Sequence, residues 1–330
     1  MTEHSELICA YLLDGTGAGQ SLDWSGVNSW KPGQAKLWIH LDCTHENTDA
    51  WLREHSGLDT FVIDGLIASE TRPRCDWYAD GILIILRGIN LNAGAQPDDM
   101  VSLRIWIDKH RVISTRFRNL MAVEDIRQQL ATGRGPVSTN HLVARLAASL
   151  TERMGPTIDD LGDQVASLED LLVGGDGSEK LELRDVRHKL VNFRRLAISL
   201  RRYIAPQREA LNRLSQMEEA WLDDRVRGRL RETIDRVTRI TEELDEVRER
   251  SAVVQDELMN RISQRMERTM YVLTVVATVM LPLGFLTGLL GINVGGMPGA
   301  ETWWAFWAVC AMLTVLVAIE ILVMRRFKWI

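Results

Sequence analysis

The spacing of hydrophobic and polar residues in the first part of the chain alternates between strand-like and helix-like patterns. The strand-like runs are Leu7 to Leu13, Lys36 to Cys43, Gly81 to Leu91, Val101 to Ile107 and Arg111 to Thr115. Helix-like stretches between and after them include Asp59 to Ala68 and Ala122 to Ala131. This alternation predicts an α/β domain that occupies residues 1–150.

From His141 onward only helical spacing remains. Three breaks are expected in this region, at Pro156, at the loop Val173 to Ser178 and at Pro206. They predict a helix before residue 173, a second helix from about Glu179 and a third, much longer helix. We assign residues 151–269 to this helical region.

The long helix is expected to start near Met217 and has no Gly or Pro between Arg229 and Pro282. One side of it is apolar: Ile234, Val237, Ile240, Leu244, Val247, Val254, Leu258, Ile262 and Met266. The other side is mostly acidic or polar: Glu242, Glu246, Glu249, Val253, Asp256, Asn260, Ser263 and Glu267. We call this second set the polar face.

Two interpretations of the polar face remain open. It is either a solvated surface paired with Arg248, Arg250 and Arg261, or a surface that symmetry copies arrange around an axis as rings of oxygen ligands. In the second interpretation, the members of the polar face toward the C-terminal end of the helix form a cytoplasmic funnel in which Asp256 is a metal ligand. These funnel residues are Asp256, Asn260, Ser263 and Glu267.

Two apolar runs near the C-terminus predict transmembrane helices. Met270 to Leu290 contains no Asp, Glu, Lys, Arg or His, and Trp303 to Met324 has Glu320 as its one charged residue. Each run meets the length of about 20 residues that a helix needs to cross a bilayer. A buried core helix could mimic one such run, but two argue for a transmembrane domain at residues 270–330, with spans 270–290 and 303–324 and an outer loop 291–302.

Basic residues flank the two spans on one side only. Arg261, Arg265 and Arg268 precede the first span, and Arg325, Arg326 and Lys328 follow the second, whereas the loop has no Lys or Arg. The positive-inside rule therefore places both termini in the cytoplasm. The N-terminus lacks the basic start and apolar core of a secretory signal, so we expect the large domain to stay inside.

Composition narrows the class of protein further. The net charge of −6 argues against nucleic acid as a partner and suits a protein that gathers cations. Residues 1–150 offer no nucleophile–base or metal constellation above chance, so we predict neither an enzyme nor a cofactor. Two alternatives to a protein that moves cations come from other functional classes: a membrane-anchored enzyme and a purely structural coiled-coil tether.

One chain with two spans cannot enclose a pore. If this chain is a transporter, it must therefore form a homo-oligomer in which one helix of each subunit lines a common axis. Pro282 is expected to bend that helix locally. Gly284 and Gly288 form a small-xxx-small pair that allows close helix approach. Simple packing of two helices explains these glycines at least as well as pore lining does.

The end of the first span carries a specific motif. Its residues are Leu290, then Gly291-Ile292-Asn293, and then Met297-Pro298-Gly299. This arrangement resembles the CorA-type two-transmembrane divalent cation transporters, which carry Gly-Met-Asn at this place, usually preceded by Tyr and followed by Met-Pro-Glu. Gly-Ile-Asn resembles more closely the family's zinc-transporting ZntB branch. The chain departs from the pattern where Gly299 replaces the Glu, and Glu301 partly substitutes for it.

The resemblance implies a funnel-shaped homopentamer in the bacterial inner membrane. It implies transport of zinc as the substrate, with a magnesium or cobalt channel of the CorA type as the alternative. Asn293 repeated around the axis would hold a cation through its hydration shell. The first span has no His or Cys, the ligands that zinc prefers, so zinc selectivity rests on the resemblance alone.

Further candidate residues lie in the two spans. Leu281 is expected to form an apolar constriction in the pore, on the helical face that includes Ala277 and Leu273. Glu320 is a candidate for proton coupling, since an intramembrane carboxylate is costly. It also lies about one turn from Arg325, so an ion pair near the inner interface is an alternative.

Two other groups of residues are candidates for ligand binding. His40, Asp42, Cys43 and His45 could hold a regulatory zinc ion, although strand-end polarity is the simpler interpretation. The segment Gly15 to Gly19 resembles a nucleotide-binding loop but lacks its full spacing, so we predict a simple turn.

Overall fold

The computed structural model describes residues 6–173, 183–217, 222–292 and 302–327. Its strands are β1 (Leu7–Leu13), β2 (Gly19–Leu22), β3 (Lys36–Asp42), β4 (Arg74–Tyr78), β5 (Gly81–Gly88), β6 (Val101–Ile107) and β7 (Arg111–Arg116). The first five helices are α1 (Trp24–Ser29), α2 (Glu46–His55), α3 (Thr60–Ile67), α4 (Met121–Ala131) and α5 (Thr139–Glu152). The remaining helices are α6 (Gly155–Val173), α7 (Leu183–Ser215), α8 (Asp224–Leu290) and α9 (Ala305–Arg326).

The strands form one sheet in the order β2-β1-β3-β7-β6-β5-β4. Only the pairing of β3 with β7 is parallel, and every other neighbouring pair is antiparallel. Side chains of α1, α2 and α3 share one buried cluster with the sheet, and side chains of α4 to α8 share the other. The predicted α/β domain is therefore a sheet between two helical layers.

Strand β5 shows why the sheet is buried on both sides. Ile82, Ile84 and Leu86 belong to the cluster with α4 to α8, whereas Leu83 and Ile85 belong to the cluster with α1 to α3. Successive side chains of a strand point to opposite faces, so an unbroken apolar run is what a doubly covered strand needs. The central strands were predicted from such runs.

Strands β2 and β4 were not predicted, and both lie at the edges of the sheet. Their sequences, Gly-Gln-Ser-Leu and Arg-Cys-Asp-Trp-Tyr, are largely polar and partly exposed. An edge strand packs fewer side chains against neighbours and gains its pairing from the backbone. The hydrophobic pattern therefore carries little signal for either strand.

The expected break at Pro206 is wrong, because α7 continues through this residue to Ser215. Ile204 and Gln207, on either side of the proline, are fully buried. The Gln207 Oε1 atom also accepts a hydrogen bond of 2.8 Å from the backbone N–H of Arg87 in β5. Packing against the sheet therefore outweighs the helix-breaking tendency of the proline.

The long helix begins later than predicted, at Asp224 rather than near Met217. Asp223 explains the start, since its carboxylate accepts a hydrogen bond of 2.8 Å from the Val226 N–H and so caps the helix. Pro282 lies inside α8, which ends at Leu290 as predicted.

The chain packs as two compact units, Met1–Gln255 and Asp256–Ile330. The boundary expected at residue 150 does not coincide with a break in packing. Buried residues of α5, α6, α7 and the first part of α8 continue the cluster that covers the sheet, through Leu150, Ile158, Leu200 and Val247. The second unit holds the C-terminal part of α8 and the helix α9.

Candidate functional site

The candidate residues of α8 lie on one side of the helix. At 3.6 residues per turn, the four funnel residues project within roughly 60° of the direction of Leu281. Gly284, Gly288 and Ile292 follow the same direction toward the end of the second unit. All of these residues are exposed in the single chain. The funnel residues and the expected pore lining therefore form one continuous stripe.

The opposite side of α8 differs in burial and charge. Val254 and Leu258 are buried there, which confirms this part of the predicted apolar side. Arg261, Arg265 and Arg268 also project away from the stripe, at roughly the opposite angle. The helix therefore presents acids and small or apolar residues on one side and its membrane-proximal arginines on the other.

The ion pairs of α8 bear on whether the polar face is an ordinary solvated surface. Arg248 pairs with Asp245, Arg250 pairs with Glu169 and Glu246, and Arg261 pairs with Glu257. Among these acids only Glu246 belongs to the polar face, and its distance to Arg250 is 3.8 Å. Within the described residues, Asp256 and Glu267 form no ion pair, so their charges remain available to a cation.

Leu281 and the two glycines are exposed on this stripe within the described part of the chain. The Leu281 side chain is 71% exposed. A Cβ atom built on Gly284 or Gly288 would meet no atom within 4 Å beyond the neighbouring backbone of its own helix. Close packing against α9 therefore does not explain these glycines within the described part of the chain.

Threonines add a feature of the first span that the hydrophobic pattern did not indicate. Thr274 lies between Glu267 and Leu281 on the same stripe, with Thr278 beside it. The Thr274 hydroxyl donates to the Met270 carbonyl, and the Thr278 hydroxyl donates to the Thr274 carbonyl, both at 2.8 Å. Each hydroxyl oxygen keeps acceptor capacity for a passing hydrated cation. Their spacing relative to Leu281 was the available signal.

The described part of α8 stops just before the motif. The Gly291 N–H caps the helix by donating to the carbonyls of Thr287 and Gly288, at 2.9 and 3.2 Å. Ile292 follows and is 48% exposed. Asn293, Met297, Pro298, Gly299 and Glu301 lie outside the described residues, so the outer cation site remains a prediction.

Glu320 lies within α9, and its Oε2 atom is buried without a hydrogen-bond partner among the described residues. The ion pair with Arg325 that the spacing allows is not formed in the part of the chain that the structure describes. Burying a carboxylate oxygen without a partner is costly when the group is charged. The alternative explanation for Glu320 as one half of an interfacial ion pair therefore finds no support.

The cluster at the end of β3 does not form a metal site. The buried His40 ring bonds through Nδ1 to the Ser114 hydroxyl at 2.8 Å, and burial lowers its pKa to about 3. Asp42 accepts from the Thr44 N–H and hydroxyl, and His45 caps α2. No group of three or more His, Cys, Asp or Glu side chains in the described ranges could hold a metal ion.

The glycine-rich segment after β1 is the simple turn that we predicted. The Asp14 carboxylate accepts from the backbone N–H groups of Thr16, Gly17 and Ala18, at 2.7, 3.0 and 3.1 Å. These bonds and the Thr16 hydroxyl lower the pKa of Asp14. The turn then leads into β2, which pairs with β1. Its N–H groups are therefore used within the hairpin.

Comparison with known proteins gives matches along almost the whole chain. The model of the family described as CorA-like Mg²⁺ transporter protein matches residues 33–326. The divalent cation transporter CmaX of Pseudomonas aeruginosa is 39% identical over 327 residues, which cover 98% of this chain and 97% of that protein. The zinc transport protein ZntB of Pectobacterium carotovorum is 37% identical over 329 residues, covering 99% and 97%.

Solved structures match in fold as well. The structure of full-length CmaX superimposes with a TM-score of 0.86 at 38% identity and covers 100% of both chains. The CorA magnesium transporter from Methanocaldococcus jannaschii gives a TM-score of 0.81, with 98% of this chain and 99% of that chain covered. Its identity of 19% shows the shared fold alone. The predicted architecture of an α/β domain, a long helix and two apolar C-terminal helices is thereby confirmed.

Proposed function

Because this chain belongs to the CorA-like Mg²⁺ transporter family, and is a divalent cation transporter rather than a member of an enzyme family, we propose that its substrate is zinc. We further propose that zinc passes along an axis lined by the stripe on α8. The observation that carries this proposal is the stripe itself. Along the helix the stripe contains Asp256 and Glu267, which form no ion pair within the described residues. The apolar Leu281 and the glycines that precede Asn293 follow on the same side.

The oligomer follows from the number of helices. The C-terminal part of α8 and the helix α9 are both apolar and long enough to cross a membrane. Two helices enclose no channel, so several copies must contribute α8 to one axis, with closed symmetry as the usual arrangement. We propose a homopentamer in the bacterial inner membrane, with both termini in the cytoplasm, as the family resemblance and the flanking arginines imply.

Zinc is favoured over magnesium by two observations. One relative is a zinc transport protein, and Gly291-Ile292 resembles the zinc branch of the family. The described part of the first span contains no His or Cys, so the ion would pass with much of its hydration shell, held by oxygen atoms. A magnesium or cobalt channel is the alternative, because CmaX is described only as a divalent cation transporter.

The test of the ion is a competition series in proteoliposomes. Zinc uptake is measured while cobalt, nickel, cadmium or magnesium is added in excess, at two pH values, and magnesium uptake is measured separately under the same gradient. A zinc transporter should lose little uptake to magnesium and more to cobalt or nickel. Uptake of magnesium that exceeds zinc uptake under the same gradient would assign the chain to the alternative.

We expect the funnel to concentrate cations. The double variant Asp256→Asn with Glu267→Gln should bind zinc several-fold more weakly in calorimetry, since each exposed charge is worth about 1 kcal/mol to a cation nearby. The matched control is Asp185→Asn with Glu209→Gln on α7, which makes the same charge change away from the stripe. Equal zinc affinity in both variants and the wild type would favour a solvated polar face.

We propose Glu320 as the group that couples transport to protons. An inward proton gradient should accelerate zinc uptake by the wild type, and Glu320→Gln should remove that response because the amide cannot carry the proton. A response that persists undiminished in the variant excludes Glu320. Absence of any response in the wild type indicates a passive channel.

A further inference from the structure

The α/β unit contains a groove of about 1060 Å³ with a strongly basic wall. It lies among the loop between α3 and β4, the strands β4 to β6, and α7. Six arginines line it: Arg72, Arg74, Arg87, Arg104, Arg118 and Arg202. Its acidic lining residues are Glu70 and Asp99. The groove therefore has a local excess of positive charge, although the net charge of the whole chain is −6.

Four of the six arginines in the groove have no ion-pair partner among the described residues. Arg74 pairs with Asp76 at 2.7 Å, and Arg118 pairs with Asp99. The other four arginines form no ion pair with any residue that the structure describes. A soluble surface normally intersperses charges of both signs, so a concave site with four guanidinium groups that have no acidic partner among the described residues favours an anionic ligand.

Arg104 is the strongest indication, because it is charged, buried and only partly bonded. Its side chain, on the central strand β6, is 1% exposed and stacks over the Phe117 ring at 4.6 Å. The Nη2 atom donates to the Ala68 carbonyl at 2.6 Å, whereas Nε and Nη1 have no partner in the described chain. Burial lowers the pKa of Arg104 to about 10, which leaves it protonated at neutral pH. An unpaired buried guanidinium is costly unless a ligand compensates it.

The half-buried Arg87 forms a second part of the wall and is held in place by the protein. The Arg87 guanidinium lies 4.6 Å from the centre of the Tyr203 ring, and it donates to the carbonyls of Thr71 and Met100. Arg72 and Arg202 are exposed residues that also line the groove. Two arginines held by the protein, with two exposed arginines beside them, are suited to an anion that presents several oxygen atoms.

We propose that this groove binds a small anion with adjacent phosphate groups, either inorganic pyrophosphate or the phosphates of a nucleotide. Arginine is the side chain best matched to phosphate, because its planar fork donates two parallel hydrogen bonds. Four arginines without an ion pair, set against the one remaining lining acid Glu70, exceed what one carboxylate would neutralise. The lining residues all precede the second unit and none belongs to the stripe on α8, so this proposal does not rest on the proposed ion path.

The test is calorimetric titration of the full-length protein in detergent, with EDTA present so that no divalent cation contributes. The probes are pyrophosphate, ATP and inorganic phosphate. The variant is Arg72→Gln with Arg202→Gln, which spares the buried Arg104 and so the core of the sheet. The matched control is Arg194→Gln with Arg195→Gln, which removes two exposed charges of α7 outside the groove.

We expect one saturable site per chain for pyrophosphate, weakened about tenfold or more in the groove variant and changed less than about twofold in the control. ATP binding as tightly as pyrophosphate means that the phosphates alone are recognised, and tighter ATP binding identifies a nucleotide. Non-saturable heat, or equal weakening in the groove and control variants, overturns the proposal. Inorganic phosphate binding as tightly as pyrophosphate overturns the assignment to adjacent phosphates.

Discussion

Replacing Asn293 with Ala is expected to reduce zinc uptake into proteoliposomes to the level of protein-free vesicles. The first span ends in apolar residues and glycine, so the Asn293 amide would supply the oxygen atoms that hold a hydrated cation at the outer end. In a symmetric oligomer the substitution removes every copy of that ligand at once. The effect should therefore be much larger than that of a single surface mutation.

Two controls separate loss of the site from loss of the protein. Light scattering of Asn293→Ala in detergent should give the same oligomer mass as the wild type, since the substitution leaves the apolar span Met270 to Leu290 unchanged. The variant Asn293→Asp keeps oxygen ligands at this position and should retain measurable uptake. Wild-type uptake by Asn293→Ala would remove this residue from the ion pathway.

The substitution Leu281→Ser is expected to raise the passive cation leak by at least about tenfold. Exposing a leucine side chain to water costs roughly 1.5–3 kcal/mol of free energy. A free-energy change of about 1.4 kcal/mol corresponds to a factor of ten in rate. Several copies of Leu281 around one axis would exclude water from the narrowest part of the pore. Serine at this position would allow the segment to remain wet.

The matched control for Leu281→Ser lies two residues further along the same helix. Leu283 projects at roughly 160° from Leu281, away from the stripe. The variant Leu283→Ser adds the same hydroxyl to the same span, so it should leave the leak rate near that of the wild type. Equal leak in the two variants would indicate general damage to the membrane domain rather than an apolar gate at Leu281.

The parts of the fold with the strongest physical constraint were predicted best. The end of α8 at Leu290 and the position of α9 followed from the apolar lengths that a bilayer requires. Strands β1 and β6 were predicted with their observed bounds, because both are mostly apolar, although β6 also contains Ser102 and Arg104. The exposed edge strands β2 and β4 lack that constraint, and their sequences gave no clear signal.

The sequence predicted which candidate residues share one side of α8, but it did not predict their side-chain contacts. The periodicity that placed Asp256 and Glu267 on one side of α8 follows from helix geometry, so it could be read directly from the spacing. Which acids pair with Arg248, Arg250 and Arg261 depends on side-chain reach and on neighbouring helices, as the bond from Arg250 to Glu169 of α6 illustrates. Likewise, the unpaired arginines of the groove are distant in sequence and are brought together only by the sheet.

The central claim is that this chain alone moves divalent cations through the membrane. The direct measurement is zinc influx into liposomes that contain only the purified protein, followed with a zinc indicator trapped inside. We predict influx that saturates with external zinc, scales with the amount of protein and disappears in Asn293→Ala. Influx equal to that of protein-free liposomes, from a preparation that remains a folded oligomer, would contradict the account.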